Sequence, residues 1–171
     1  MISSSLKGLG RECRNILQKY SQKSPVKLGS LAKELNVKIK VSNMPMGISG
    51  QIKREDGEYV IRINRYEKRE RQRFTIAHEL AHYLLHRELI DRSPNGIQDN
   101  VLYRSGQPIE IEYEANRLAA DIVMPRSLVE EKFDALSREG LSDEDLIKQM
   151  ASEFQVSLTA MEIRLSNIHT L

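Results

Sequence analysis

One cysteine, Cys13, stands in a chain of 171 residues, so no disulfide can close within it and a reducing compartment is expected. Tryptophan is absent and the aromatics are three Phe and six Tyr, which leaves Leu, Ile, Val and Ala to build the core. No apolar run approaches the ~18 residues that a membrane-crossing helix needs. The opening residues MISSSLKGLGREC also lack the apolar centre of a secretion signal, so a cytoplasmic protein with no membrane partner is expected. Charge of neither sign dominates: 26 Lys and Arg against 24 Asp and Glu give a net +2, too little to imply nucleic acid by itself. A local basic run, RINRYEKRERQR (62–73), is interrupted by Glu67 and Glu70. Glu67 and Arg71 have helical i,i+4 spacing, so the run reads as a solvated helix face. Histidine is scarce too, with four in all.

The length suits one domain with a sizeable core and a small appendage. Leu6, Leu9, Cys13, Ile16 and Leu17 form an apolar stripe that predicts a helix over 6–20. A break at Ser24-Pro25 and a short helix over 28–35 follow. VKIKV (37–41), ISGQIKR and EYVIRI alternate as half-buried strands, and Asp56-Gly57 between the last two is a hairpin signal. Three short antiparallel strands are therefore expected, in an α+β chain. Asn64 with Glu67 resembles a capping box, and nothing breaks a helix from there to His86. Phe74, Ala77, Ala81, Leu84 and Leu85 give that helix a buried side. Residues 91–108 read as a long polar connection, IEIEYEANRLAADIV as another helix ending at Met124-Pro125, and 126–171 as three short helices. The expected division is a core over 1–125 and a helical appendage over 126–171.

Three of the four histidines fall in FTIAHELAHYLLH (74–86), each four residues from the next. His78-Glu79-Leu80-Ala81-His82 is an HExxH motif. On a helix, His78 and His82 lie one turn apart on one face, and both imidazoles can reach a single metal ion at about 2.0–2.1 Å. Glu79, turned by about 100° from His78, reaches a water on such an ion instead. Zinc brings a bound water's pKa toward about 7, and a neighbouring carboxylate takes its proton as it attacks a carbonyl. Neutral imidazole suits zinc, and without a cysteine cluster a four-sulfur structural site is excluded.

A third protein ligand is needed. His86 lies about 12 Å along the helix axis from His78, too far for one ion to bind all three. His169, near the C-terminus, reads as an exposed histidine. Helical phase puts Glu110, Glu114, Arg117 and Asp121 on a charged, solvent-facing flank. Glu112 shares its flank with Asn116, Ala119, Ala120 and Val123, so Glu112 is preferred over Glu114. Asn116, one turn on, is placed to hydrogen-bond a ligand histidine.

These segments resemble the ImmA/IrrE family of small bacterial metallopeptidases. The matching stretches are RFTIAHELAHYLLH (73–86), the E-x-x-A-N segment from Glu112 to Asn116, RLAADIVMP (117–125), SGQI (49–52) and YVIRIN (59–64). Leu118 departs from the pattern, where phenylalanine is usual. The resemblance implies a zincin-like core with a gluzincin-type Zn2+ site: His78, His82 and Glu112 as ligands, Glu79 as base. It also implies a protein substrate, a helix-turn-helix repressor cut to release the genes of a mobile element or a stress response.

The residues add a substrate-holding device: a strand near Gly50, with Gly47 close by, that could pair with an extended peptide, or simply form a turn and a bulge. Tyr103, Tyr83 and His86 are candidate oxyanion donors. The C-terminal LIKQMASEFQVSLTAMEIRL resembles a helix-turn-helix, which offers a different function, a metal-binding regulator that binds DNA or sequesters a partner without proteolysis. Its second helix carries only Arg164 as a base-reading cation, and 141–171 are acidic on balance, so a packing or partner-binding role is favoured over nucleic acid.

Overall fold

The structure, a computed structural model, describes residues 8–100 and 108–169. The apolar stripe at the start forms α1 (Arg11–Tyr20), with Leu17 buried, and α2 (Leu28–Glu34) follows with Leu28, Leu31 and Ala32 buried. Leu6 lies outside the described residues. The alternating segments form β1 (Val37–Ser42), β2 (Ile48–Glu55) and β3 (Glu58–Asn64). Asp56 and Gly57 take φ of 50° and 84°, the pair of positive values that a two-residue hairpin turn demands. They set β2 against β3 in antiparallel register, Glu55 opposite Glu58.

The three-stranded antiparallel expectation is corrected on two points. β1 runs parallel to β3, from Val37 opposite Tyr59 to Ser42 opposite Asn64. A fourth strand, β4 (Ile97–Asn100), pairs antiparallel with β2, giving the order β1-β3-β2-β4. Alternation records which side chains share a face, not which neighbour a strand chooses. β4 has four residues and one apolar side chain, the buried Ile97, too little for a periodic signal.

The histidine segment is α3 (Arg69–Leu85). It does not start at Asn64. The Asn64 amide donates to the Ile48 carbonyl at 2.8 Å and its Oδ1 accepts from the Tyr66 N–H at 3.2 Å, so this side chain ties a turn to β2 while Lys68 stands at the helix start. Ala77, Leu80 and Ala81 are fully buried. Burying a leucine of this kind contributes about 1.5–3 kcal/mol, and the small alanines leave room for a close neighbour. His86 ends the helix, its N–H bonded to the His82 carbonyl at 2.7 Å, and α4 (Arg87–Arg92) begins at once, running into the start of the stretch expected to be irregular. The basic run is only partly a solvated face. Arg62 pairs with Glu55 at 2.9 Å, Arg71 reaches Asp99 at 3.3 Å, and Arg73 donates to the Val26 carbonyl at 3.0 Å. Glu67 meets Ser49 at 3.1 Å.

After Pro108 come α5 (Ile109–Val123), α6 (Arg126–Ser137), α7 (Asp143–Phe154) and α8 (Leu158–His169), close to the expected helices. α5 lies against α3, with Ala115, Leu118 and Ala119 fully buried. Met150, Phe154 and Met161 of α7 and α8 join the same apolar core. Asp121 is not solvent-facing: Arg164 of α8 pairs with it at 2.7 Å, and each side chain is about a tenth exposed. No helix among the described residues is long and apolar enough to cross a membrane.

Candidate metal centre

α3 delivers His78 and His82 one turn apart, with rings edge to face and centroids 4.6 Å apart. α5, packed alongside, brings Glu112 to the same point. His78 Nε2 lies 3.1 Å from His82 Nε2 and 3.3 Å from Glu112 Oε2, and His82 Nε2 lies 3.5 Å from Glu112 Oε1. Atoms held about 2.0–2.1 Å from one tetrahedral ion stand about 3.3–3.4 Å from each other. The three donors thus have the mutual spacing that a single ion imposes, and they are the one such group of three among the described residues. Helical phase also sorts the glutamates as expected: the Glu112 side chain is 20% exposed, that of Glu114 61%.

Glu79 is fully buried, and neither carboxyl oxygen has a hydrogen-bond partner. Burial pushes its carboxyl well above the ordinary range, with Asp99 and Glu112 adding repulsion. An orphaned acid beside three convergent donors calls for a positive charge in the space between them. His82 is pushed the other way: burial lowers its pKa, only partly offset by Glu112. Its neutral form is therefore favoured, the form that binds metal. The donor set, its spacing and the unpartnered acid all fit a divalent cation.

Other expected roles are redistributed. Gly50 lies on β2, which is flanked by β3 and β4 and has no free edge for a peptide. The register does shift beside it, between Ile48 and Gly50, and its missing side chain serves contact with α3. A Cβ there would stand 2.4 Å from Thr75 Cγ2 and 3.4 Å from Glu79 Oε1. Among the described residues the sheet edge beside Glu79 is β4, whose Asp99 was missed because its strand was. Asn116 is exposed and does not reach His78 Nδ1, which has no partner. Tyr83 spends its hydroxyl on the Leu35 carbonyl at 3.0 Å. Tyr103 lies outside the described residues, as does the side chain of His169. His86 sits on His82, Nδ1 to Nδ1 at 3.1 Å, and its Nε2 meets Glu114 Oε2 at 3.0 Å. A cavity of about 480 Å³ lined by Leu17, Leu31, Leu118 and Ile122 contains none of the candidate ligands.

Residues 32–166 match the family model of the IrrE N-terminal-like domain, a peptidase family. The chain belongs to this family. Its IrrE-like stretch takes in every element from the end of α2 through most of α8, the two helices of the histidine–glutamate cluster included. No curated protein matches the chain. A solved structure, a Mycobacterium tuberculosis transcriptional regulator, shares the fold at TM-score 0.56 and 16% identity. The alignment covers 92% of this chain and 48% of that one, so this IrrE-like chain spans about half the regulator's length.

Proposed function

We propose that the protein is a zinc-dependent endopeptidase that cleaves a protein substrate, a helix-turn-helix repressor whose loss releases genes of a mobile element or a stress response. The observation that carries this reading is the convergence of His78, His82 and Glu112 at 3.1–3.5 Å beside the unpartnered carboxyl of Glu79. Membership in a peptidase family supports it. The two imidazoles and the Glu112 carboxylate would hold zinc, which when bound polarises a peptide carbonyl and acidifies a water. Glu79 would take the proton of the attacking water on one carboxyl oxygen and return it to the leaving amine. Its burial keeps competing water away from that oxygen. β4, the last strand of the sheet among the described residues, would be the edge along which an extended peptide pairs, main chain to main chain. Residues 126–171 would act as the helical appendage, and the protein would work in the cytoplasm.

The fold shared with a transcriptional regulator favours a second reading, a metal-binding regulator that acts by DNA binding or by sequestering its partner. Direct DNA reading is weakened by Arg164, whose guanidinium is taken up by Asp121. Glu79→Gln separates the readings. Under the endopeptidase reading the variant keeps about one zinc per chain, by metal analysis, and loses cleavage of a co-incubated repressor by a factor of about 10² or more. Undiminished cleavage or derepression by the variant would overturn it.

A further inference from the structure

The third histidine of the stripe has no part in the cluster itself, yet it is almost as deeply set. The His86 side chain is 8% exposed, and its ring bridges two elements: Nδ1 faces His82 Nδ1 at 3.1 Å, and Nε2 faces Glu114 Oε2 at 3.0 Å. Each contact joins two nitrogens, or a nitrogen and an oxygen, at hydrogen-bonding distance, so each needs one proton. With both rings neutral, two distributions satisfy the imidazole pair. In the first, His82 Nδ1–H donates to His86 Nδ1, and His86 Nε2–H donates to the Glu114 carboxylate. His82 Nε2 is then left with a lone pair aimed at His78 and Glu112. In the second, His86 Nδ1–H donates to His82, which forces the His82 proton onto Nε2 and sets a bare His86 Nε2 against Glu114. A carboxylate only accepts, so that arrangement puts two lone pairs face to face at 3.0 Å, closer than the 3.5 Å at which the first leaves His82 Nε2 facing Glu112 Oε1, where an ion would sit between them.

From this geometry we propose that Glu114 and His86 are positioning residues for the metal centre: a carboxylate–imidazole–imidazole chain fixes His82 in its Nδ1–H tautomer and keeps Nε2 open to the ion. The inference rests on the reading of His78, His82 and Glu112 as ligands. It gives a side chain on the solvent flank of α5 a role in a buried site. Glu114 does not bind the ion; it selects the proton position two rings away. His86 also stands where α3 ends and α4 begins, so its backbone is fixed by the bond from its N–H to the His82 carbonyl. A histidine ligand oriented by a carboxylate is a common arrangement, and loss of the orienting group typically costs about 10- to 100-fold in metal affinity. Here a second imidazole is inserted between the carboxylate and the ligand.

The test uses the full chain and zinc itself as the probe. Competition with a chromogenic chelator should give His86→Phe an affinity about 10- to 100-fold weaker than the parent. Glu114→Gln, whose amide can turn to donate, should be weakened in the same direction. His86→Asn places an amide oxygen on Cγ, where Nδ1 is attached, and should recover most of the loss. Glu110→Gln, on the same helix and exposed, should bind as the parent does. Nitrogen-15 NMR of the metal-free parent should show His82 protonated at Nδ1, with that preference lost in Glu114→Gln. Parent-like zinc affinity in a folded His86→Phe, or a metal-free parent with His82 protonated at Nε2, would overturn the proposal. Because the tautomer is read without metal, it stands or falls separately from zinc binding and from peptide cleavage.

Discussion

At Gly50 a missing side chain lets β2 lie against the helix that carries the cluster. A Cβ there would sit 2.4 Å from the Cγ2 of Thr75, which is fully buried and cannot swing away, and 3.1 Å from the Arg62 carbonyl. Gly50→Ala should therefore destabilise the fold by about 1–3 kcal/mol, read by chemical denaturation, because it overpacks a rigid contact. The sequence did single out this glycine, and of its two readings the bulge is present while the peptide-pairing edge is not, since a strand's place within a sheet is not written in its own residues. The convergence of His78, His82 and Glu112 was legible because helical periodicity is a local property: one turn brings the histidines together, and phase alone separates Glu112 from Glu114. Asp99 and the bond from His86 to Glu114 were not. Both depend on which segments meet across the fold, which no local spacing records.

Elements with a complete local signal were predicted well. α7 is an example: Ser142 accepts from the Asp145 N–H at 3.2 Å, three acids fill its first turn, and Gln155 closes it in a left-handed conformation. Ser142→Ala should cost about 1 kcal/mol, seen as a shift in the denaturation midpoint with an unchanged slope. The Asp56-Gly57 hairpin was equally plain, because positive φ at both positions narrows the choice of residue. β1 was found as a strand and mistaken in its partner. Its parallel pairing with β3 is a long-range choice. The start of α3 was misplaced because Asn64, a good capping residue in isolation, is claimed by the Ile48 carbonyl across the sheet.

For the molecule as a whole, acid stability has an identifiable contributor. Hydrogen bonds from the Arg62 guanidinium, helped by Lys53 and opposed by burial, hold the Glu55 carboxyl down to about 2. Its folded pKa lies below its unfolded value, so unfolding takes up a proton in acid and the stabilisation is present at neutral pH. It should fade as pH falls from about 4.5 toward about 2. Arg62→Met should flatten that part of the stability profile, measured by urea denaturation at successive pH values. A larger global effect is expected from the two origins of the candidate metal donors, α3 for the imidazoles and α5 for the carboxylate. An ion seated between them is a cross-link that exists only in the folded state. Free zinc at about 100 times its dissociation constant would add about 2.7 kcal/mol, and chelation should lower the thermal midpoint accordingly, with Glu112→Ala insensitive to either treatment. The melting temperature then becomes a gauge of ion supply: starvation for zinc would shorten the lifetime of the polypeptide as well as idle it.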